Sequence, residues 1–136
     1  MREVTFRIHH AGEPECEVSA RHPEVRYRSV SSMTGSGPER KRIAEFTGPP
    51  DEIEAFVEEF REFDLIVSAE PLAPIEGTHA YVALTIDVTA ADWEGIGERF
   101  SRMGIHYRTG TTISGGVERW TAYLDEDDDL SAVMRE

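Results

Sequence analysis

Three histidines and the single cysteine lie close together near the start of the chain. They are His9, His10, Cys16 and His22. Imidazole and thiolate groups are common zinc ligands, but zinc sites usually draw them from paired positions such as C-x2-C or H-x3-H. These four residues match neither spacing. In addition, His9 and His10 are expected to point to opposite faces of a strand. We therefore predict no metal site and no cofactor.

A second group of chemical interest is a concentration of basic residues in an acidic chain. Its members are Arg21, Arg26, Arg28, Arg40, Lys41 and Arg42. Arg26 and Arg28 share one face of a predicted strand, and antiparallel pairing across a turn at 35–38 would bring Arg40 and Arg42 near them. Guanidinium groups bind carboxylates and phosphates through paired N–H donors. The predicted site would bind a small anionic metabolite or an acidic partner. Alternatively, these arginines form solubilising ion pairs with neighbouring glutamates.

Catalytic motifs are not apparent in the sequence. Cys16 is flanked by Glu15 and Glu17, whose charges raise a thiol pKa. The glycine-rich segments lack the lysine of a phosphate-binding loop and the serine of a nucleophile elbow. The acidic block at 125–129 lacks the central glycine and closing glutamate of an EF-hand. We predict that the protein is not an enzyme. Under the alternative of an enzyme, His79 and His106 are the first residues to replace.

The first half of the chain carries the hydropathy pattern of a complete α/β unit. Strands are predicted near 4–8, 25–33, 40–47 and 65–69, with a weak helix at 13–22. A stronger helix opens at Asp51, which has capping-box spacing to Glu54. Its apolar stripe comprises Ile53, Phe56, Val57, Phe60 and Phe63. The order strand, helix, strand, strand, helix, strand is that of a ferredoxin-like unit, an antiparallel sheet with helices on one face.

The second half repeats most of this order. A strand near 82–88 precedes a helix that opens at Thr89, with a buried stripe of Trp93, Ile96, Phe100 and Met103. A hairpin then joins 105–113 to 117–124 across Ser114-Gly115-Gly116. The sequence thus predicts an α+β protein with a βαββαβ unit and a second βαββ unit packed on it. The predicted divisions are 1–70, a linker at 71–78, 79–124, and an acidic tail with the start of a helix at 125–136.

The overall charge excludes some classes of function. The chain has 136 residues, 27 of them acidic and 14 basic, and its net charge is −13. Nucleic-acid binding needs a basic surface, so direct binding by this segment is not expected. There is no run of 18 apolar residues that could span a membrane. One cysteine cannot form an internal disulfide, which fits a reducing cytoplasm.

The basic residues have a texture typical of salt-adapted proteins, because 13 of the 14 are arginine and only Lys41 is lysine. An acidic surface repels itself in dilute buffer, and salt screens that repulsion. We therefore expect the melting temperature to rise as KCl is raised from dilute to molar concentration. Thermal unfolding followed by circular dichroism measures this, and a flat or falling melting temperature would exclude salt adaptation.

Three segments resemble the N-terminal region of haloarchaeal transcription regulators of the bacterio-opsin activator type. They are residues 2–10 (REVTFRIHH), 17–23 (EVSARHP) and 53–60 (IEAFVEEF). Members of that family carry a C-terminal helix-turn-helix, which these 136 residues lack. The resemblance implies a cytoplasmic regulatory module, a sensor or a dimerisation domain, that forms a homodimer and lacks its own DNA-binding domain. The predicted architecture also resembles tandem ACT-type domains, which gives the alternative of a stand-alone small-molecule-binding or protein-interaction domain.

Overall fold

The computed structural model describes residues 1–10, 12–31, 34–35, 37–90, 96–108 and 111–126. Within them the chain is an α+β protein, as predicted, with eight strands in one antiparallel sheet. The strands are β1 (Arg2–Ile8), β2 (Arg26–Ser29), β3 (Glu39–Thr47), β4 (Ile66–Pro71), β5 (His79–Asp87), β6 (His106–Tyr107), β7 (Thr112–Ser114) and β8 (Val117–Leu124). The α-helices are α1 (Pro14–Arg21), α2 (Pro50–Phe60) and α3 (Ile96–Arg102), and a 3-10 turn spans Val88–Ala90.

The order of the strands differs from the two separate units predicted above. The sheet runs β1-β8-β7-β2-β3-β5-β4, and β6 pairs with β8 as well. The first strand therefore pairs with the last strand, and β4 pairs with β5 across the predicted linker. The strands of 1–70 and of 79–124 build one shared sheet, so the division at 71–78 is not a division of the fold. Alternating hydropathy specifies which face of a strand is buried but not which strand lies beside it.

All three α-helices cover the same face of the sheet. The larger core lies under α1 and α2, where Phe46 makes edge-on ring contacts with Tyr27 and Phe56 at 5.4 and 5.1 Å between centroids. A smaller aromatic core lies under α3 and comprises Phe100, Ile105, Trp120, Ala122 and Leu124, with Val4, Phe6, Ile8, Ile96, Met103 and Tyr107 packed against it. The opposite face of the sheet carries no helix among the described residues.

The two predicted amphipathic helices are observed with different starting points. The apolar stripe of α2 is buried as predicted, but the helix begins at Pro50 and its N-cap residue, Pro49, makes no side-chain capping bond. The prediction of a capping box at Asp51 is therefore wrong. Pro50, whose φ is fixed near the helical value, begins the helix one residue earlier. Residues 88–90 form a 3-10 turn rather than the start of an α-helix. Trp93 and the tail at 127–136 lie outside the described residues.

The predicted hairpin with its turn at Gly115 is confirmed. Its first arm consists of two short strands, β6 and β7, which both pair with β8. Ser114 pairs with Val117, and Gly115 and Gly116 adopt φ of +57° and +79°, as a two-residue turn requires. The Gly116 N–H donates to Ser19 Oγ at 2.9 Å, and the Gly116 carbonyl lies 2.8 Å from His9 Nδ1. The turn therefore holds α1 and the end of β1 against β8.

Candidate functional site

One row of residues on the helix-covered face combines apolar and polar side chains. Cross-strand pairing aligns Ile8, Glu118, Ile113, Tyr27, Phe46 and Ala80 across the sheet. The start of α1 lies over this row and contributes two buried carboxyls, Glu13 as the N-cap residue and Glu15 in the first turn. Carboxyl groups are rarely buried unless they are paired. The row therefore marks the most unusual environment in the described structure.

At the centre of this environment lies a cluster that we call the buried triad: His10, Glu13 and Glu118. One ligand atom from each lies within 4.8 Å of the other two. His10 Nδ1 is 2.7 Å from Glu13 Oε2. Glu13 is 7% exposed and Glu118 is 3% exposed. The triad thus joins the end of β1, the start of α1 and the start of β8.

Local backbone geometry sets the position of two triad members. The Glu13 N–H donates to the His10 carbonyl at 3.2 Å and closes a tight turn. Gly12 has a φ of +85° in this turn, a conformation that glycine adopts without steric cost. Pro14 then opens α1 directly after Glu13. Because the turn is this short, the His10 imidazole and the Glu13 carboxyl are held side by side.

Burial sets the protonation of the triad. Loss of hydration raises the pKa of Glu118 to about 9, and the neighbouring Glu13 carboxylate contributes to the same shift. Burial also raises the pKa of Glu13, while its hydrogen bond to His10 opposes this. The same hydrogen bond raises the pKa of His10. At neutral pH, Glu118 therefore holds a proton inside the domain.

Three further ionisable side chains, those of Glu15, Tyr27 and Arg42, lie close to the triad. Burial raises the pKa of Glu15, and the nearby Arg42 guanidinium lowers it. Burial likewise raises the pKa of the Tyr27 hydroxyl, which is also close to Glu15 and Arg42. Arg42 thus supplies positive charge to a region that contains three buried carboxyls.

The four arginines of the predicted anion site are not brought together. Tyr27 pairs with Phe46, and both face the helices, so Arg26 and Arg28 point to the open face of the sheet. Arg40 and Arg42 have the same parity as Phe46 and lie on the helix-covered face. The expectation that strand pairing brings Arg40 and Arg42 near Arg26 and Arg28 is wrong, because the register pairs Arg26 with Thr47 and Arg28 with Glu45. Arg28 Nε bonds Glu45 Oε1 at 3.0 Å, as the ion-pair alternative proposes.

The remaining residues considered for chemistry have structural contacts of their own. His22 lies 2.9 Å from both Glu52 and Glu59 through its two ring nitrogens. His79 Nε2 lies 2.8 Å from Glu45, and His106 is exposed. Cys16 is fully buried, and burial raises the pKa of its thiol, which disfavours the reactive thiolate.

Sequence reasoning identified His10 but missed its partners. Glu13 is near in sequence, whereas Glu118 reaches His10 only because β1 pairs with β8. One signal was present: Glu118 is in phase with Trp120, Ala122 and Leu124 on an alternating strand. A carboxyl at a buried-phase position is an exception to the pattern, and such exceptions are expected at functional sites.

Fold and site together define an α+β domain with helices on one face of an antiparallel sheet and a buried histidine–carboxylate cluster. Comparisons with protein-family models, curated proteins and solved structures give no match to this chain. Among the described residues, none of the helices combines the length and the apolar character needed to cross a membrane.

Proposed function

We propose that the protein is a regulatory module of a haloarchaeal transcription regulator, a cytoplasmic sensor or dimerisation domain without its own DNA-binding part. The observation that carries this proposal is the buried triad. Burying ionisable groups costs stability, and strongly shifted pKa values concentrate at functional sites. Burial of the triad therefore lowers the stability of the folded protein, and the charge of the buried cluster can change.

The triad is placed where a change of charge would alter the fold. His10 follows β1, Glu13 precedes the first turn of α1, and Glu118 lies on β8. Strand β8 also contributes side chains to the core under α3. Gain or loss of a charge at this junction changes the attraction between α1 and β8. A two-state element biased by a local charge is how many regulatory domains transmit a signal.

Two further features support a module that acts through other chains or domains. The three α-helices of the described residues all pack on the sheet, so none of them is presented as a recognition helix. The edge strand β4 and the segment after it expose Val67 and Leu72, which are 53% and 60% accessible. Unpaired edges of this kind pair with a second copy in many proteins, which supports a homodimer.

The alternative, a stand-alone ACT-like domain that binds small molecules or proteins, has its own supporting observation. On the open face of the sheet, Arg7, Arg119, Thr112 and Arg28 are successive cross-strand neighbours. Three guanidinium groups and a hydroxyl in one row would suit an anionic metabolite. Arg26 lies on the same strand face as Arg28, whereas Arg40 and Arg42 do not belong to this surface.

Transcript profiling in a haloarchaeal host tests the main proposal. A strain that lacks the gene is complemented with the complete wild-type gene, with Glu118→Gln, or with Glu54→Gln. Glutamine copies the protonated carboxyl and cannot ionise, whereas Glu54 is an exposed residue of α2. We expect Glu118→Gln to change the level of target transcripts by about fivefold or more, as typical coupling energies imply, and Glu54→Gln to match the wild type.

Protein levels, checked by immunoblotting, must be equal in these strains. The isolated 136-residue chain should also fail to shift promoter DNA in a gel. Transcripts that are identical in all strains, or a chain that binds specific DNA by itself, would overturn the proposal.

A further inference from the structure

We infer that His10, Glu13 and Glu118 bind a divalent first-row transition-metal cation, which would be the signal of the regulatory module. The claim that the cation is the signal rests on the proposed function. The claim that the triad binds a cation does not. The inference departs from the expectation drawn from sequence spacing, which predicted no metal site.

The geometry of the triad suits one ion. Zinc sites hold nitrogen and oxygen ligands about 2.0–2.2 Å from the metal, which places neighbouring ligand atoms roughly 3–3.5 Å apart. The ligand atoms of the triad lie within 4.8 Å of one another, and the His10–Glu13 contact is 2.7 Å. Coordination of one ion would therefore require the most widely separated of these atoms to move closer together by about 1–2 Å.

The ligand types favour transition metals over calcium and magnesium. One imidazole and two carboxylates form a mixed nitrogen–oxygen set, whereas Ca²⁺ and Mg²⁺ take oxygen ligands. The thiol of Cys16 is not part of the set. The His10 side chain is 16% exposed, so the imidazole lies between the solvent and the two buried carboxyls. Three protein ligands also leave coordination positions for water.

A separate observation points to a ligand. Glu118 Oε2 is buried and has no hydrogen-bond partner in the described structure. An unsatisfied buried polar atom destabilises the folded state. A cation held by the triad would satisfy this oxygen.

The surrounding charges allow a cation. Arg99 lies near enough to His10 to lower the pKa of its imidazole, and this guanidinium opposes a second positive charge. The Arg42 guanidinium, which lies near Glu15, also opposes the binding of a cation. The carboxyls of Glu13, Glu15 and Glu118 outnumber these two guanidiniums.

Calorimetric titration of the 136-residue chain with CoCl2 in molar KCl tests the site. High salt suppresses weak binding to the acidic surface. We expect one Co²⁺ per chain, with the visible absorption of a cobalt ion bound to nitrogen and oxygen. Glu118→Gln and His10→Gln should each weaken binding at least about tenfold, since loss of even an outer-shell partner has that effect.

Matched controls are His106→Gln and Glu54→Gln, which alter an exposed histidine and an exposed glutamate and should bind as the wild type does. Circular dichroism confirms that each variant is folded. Absence of saturable binding, or equal binding by Glu118→Gln and the wild type, would overturn the site. If the site binds cobalt but Glu118→Gln leaves transcripts unchanged, the proposed function fails and the site stands. If the protein does not bind cobalt but Glu118→Gln changes the transcripts, the proposed function stands and the metal site is excluded.

Discussion

The metal-free protein is expected to unfold more easily in urea as the pH is raised from about 5 to about 9. In the folded state burial raises the pKa of Glu118 to about 9 from an ordinary value of 4.5. Between these values the folded chain holds a proton that the unfolded chain has released. Stability therefore falls as the pH rises through this window. One proton of difference gives a slope of about 1.4 kcal/mol per pH unit.

The other groups of the cluster act in the same direction. The pKa values of Glu13 and Glu15 are also raised by burial. The pKa of His10 is raised by Glu13, so its contribution is complete below the ordinary value of 6.5 and is lost as the pH rises. Greatest stability is therefore expected near pH 5, on the acidic side of the range usual for proteins.

Four ion pairs, two on Glu59 and two on Glu45, contribute to the acid limb. Arg21 and His22 lower the pKa of Glu59, and His79 and Arg28 lower that of Glu45. Lowered carboxyl pKa values add stability above the ordinary value of 4.5 and lose it as the pH falls below. The stability of the protein should thus decline on both sides of its optimum, more steeply on the alkaline side.

Urea titrations of the wild type, Glu118→Gln and Glu54→Gln at each pH measure this effect, with a chelator present. Glutamine removes the ionisation of residue 118, so Glu118→Gln should have a distinctly shallower alkaline limb. Glu54→Gln should run parallel to the wild type, because Glu54 is exposed. Equal alkaline slopes for wild type and Glu118→Gln would show that Glu118 is not the buried acid.

The sequence was sufficient to predict local structure at most elements. Val4, Phe6 and Ile8 alternate on β1, and Trp120 and Ala122 alternate on β8, so both strands and their buried faces could be predicted. Their pairing could not, because any strand with a matching apolar face satisfies the same pattern. The strand order of the sheet, in which β1 pairs with β8, could not be predicted for this reason.

The candidate site was less predictable than the fold, since it depends on pairing and on register. His10 and Glu118 are far apart in the chain and meet only through the β1–β8 ladder. Arg28 and Arg42 were expected to lie near each other, and a register that pairs Arg28 with Glu45 separates them. A shift of one residue in register moves a side chain to the opposite face.

Replacement of Arg42 by alanine is expected to destabilise the folded protein by about 1–3 kcal/mol, the usual cost of leaving buried polar groups without a partner. Arg42 lies on the helix-covered face, near the Glu15 carboxyl and the Tyr27 hydroxyl. Glu15 is 6% exposed and has little access to water. Without the guanidinium it must take up a proton or remain an unpaired anion.

Arg26→Ala is the matched control, because Arg26 is exposed on the open face of the sheet. Its effect should stay within about 0.5 kcal/mol, as for most surface substitutions. Urea denaturation at neutral pH compares the two variants. The double variant Arg42→Met with Glu15→Gln should recover most of the loss, since both charges are then removed.

The comparison also separates the two roles considered for Arg42. If Arg42 binds an anionic ligand, Arg42→Ala leaves the free protein as stable as the wild type and removes only stabilisation by added anions. If Arg42 compensates buried carboxyls, the free protein loses stability, and Glu15→Gln restores it. The position of Arg42 beside Glu15, on the face opposite to Arg26 and Arg28, supports the second result.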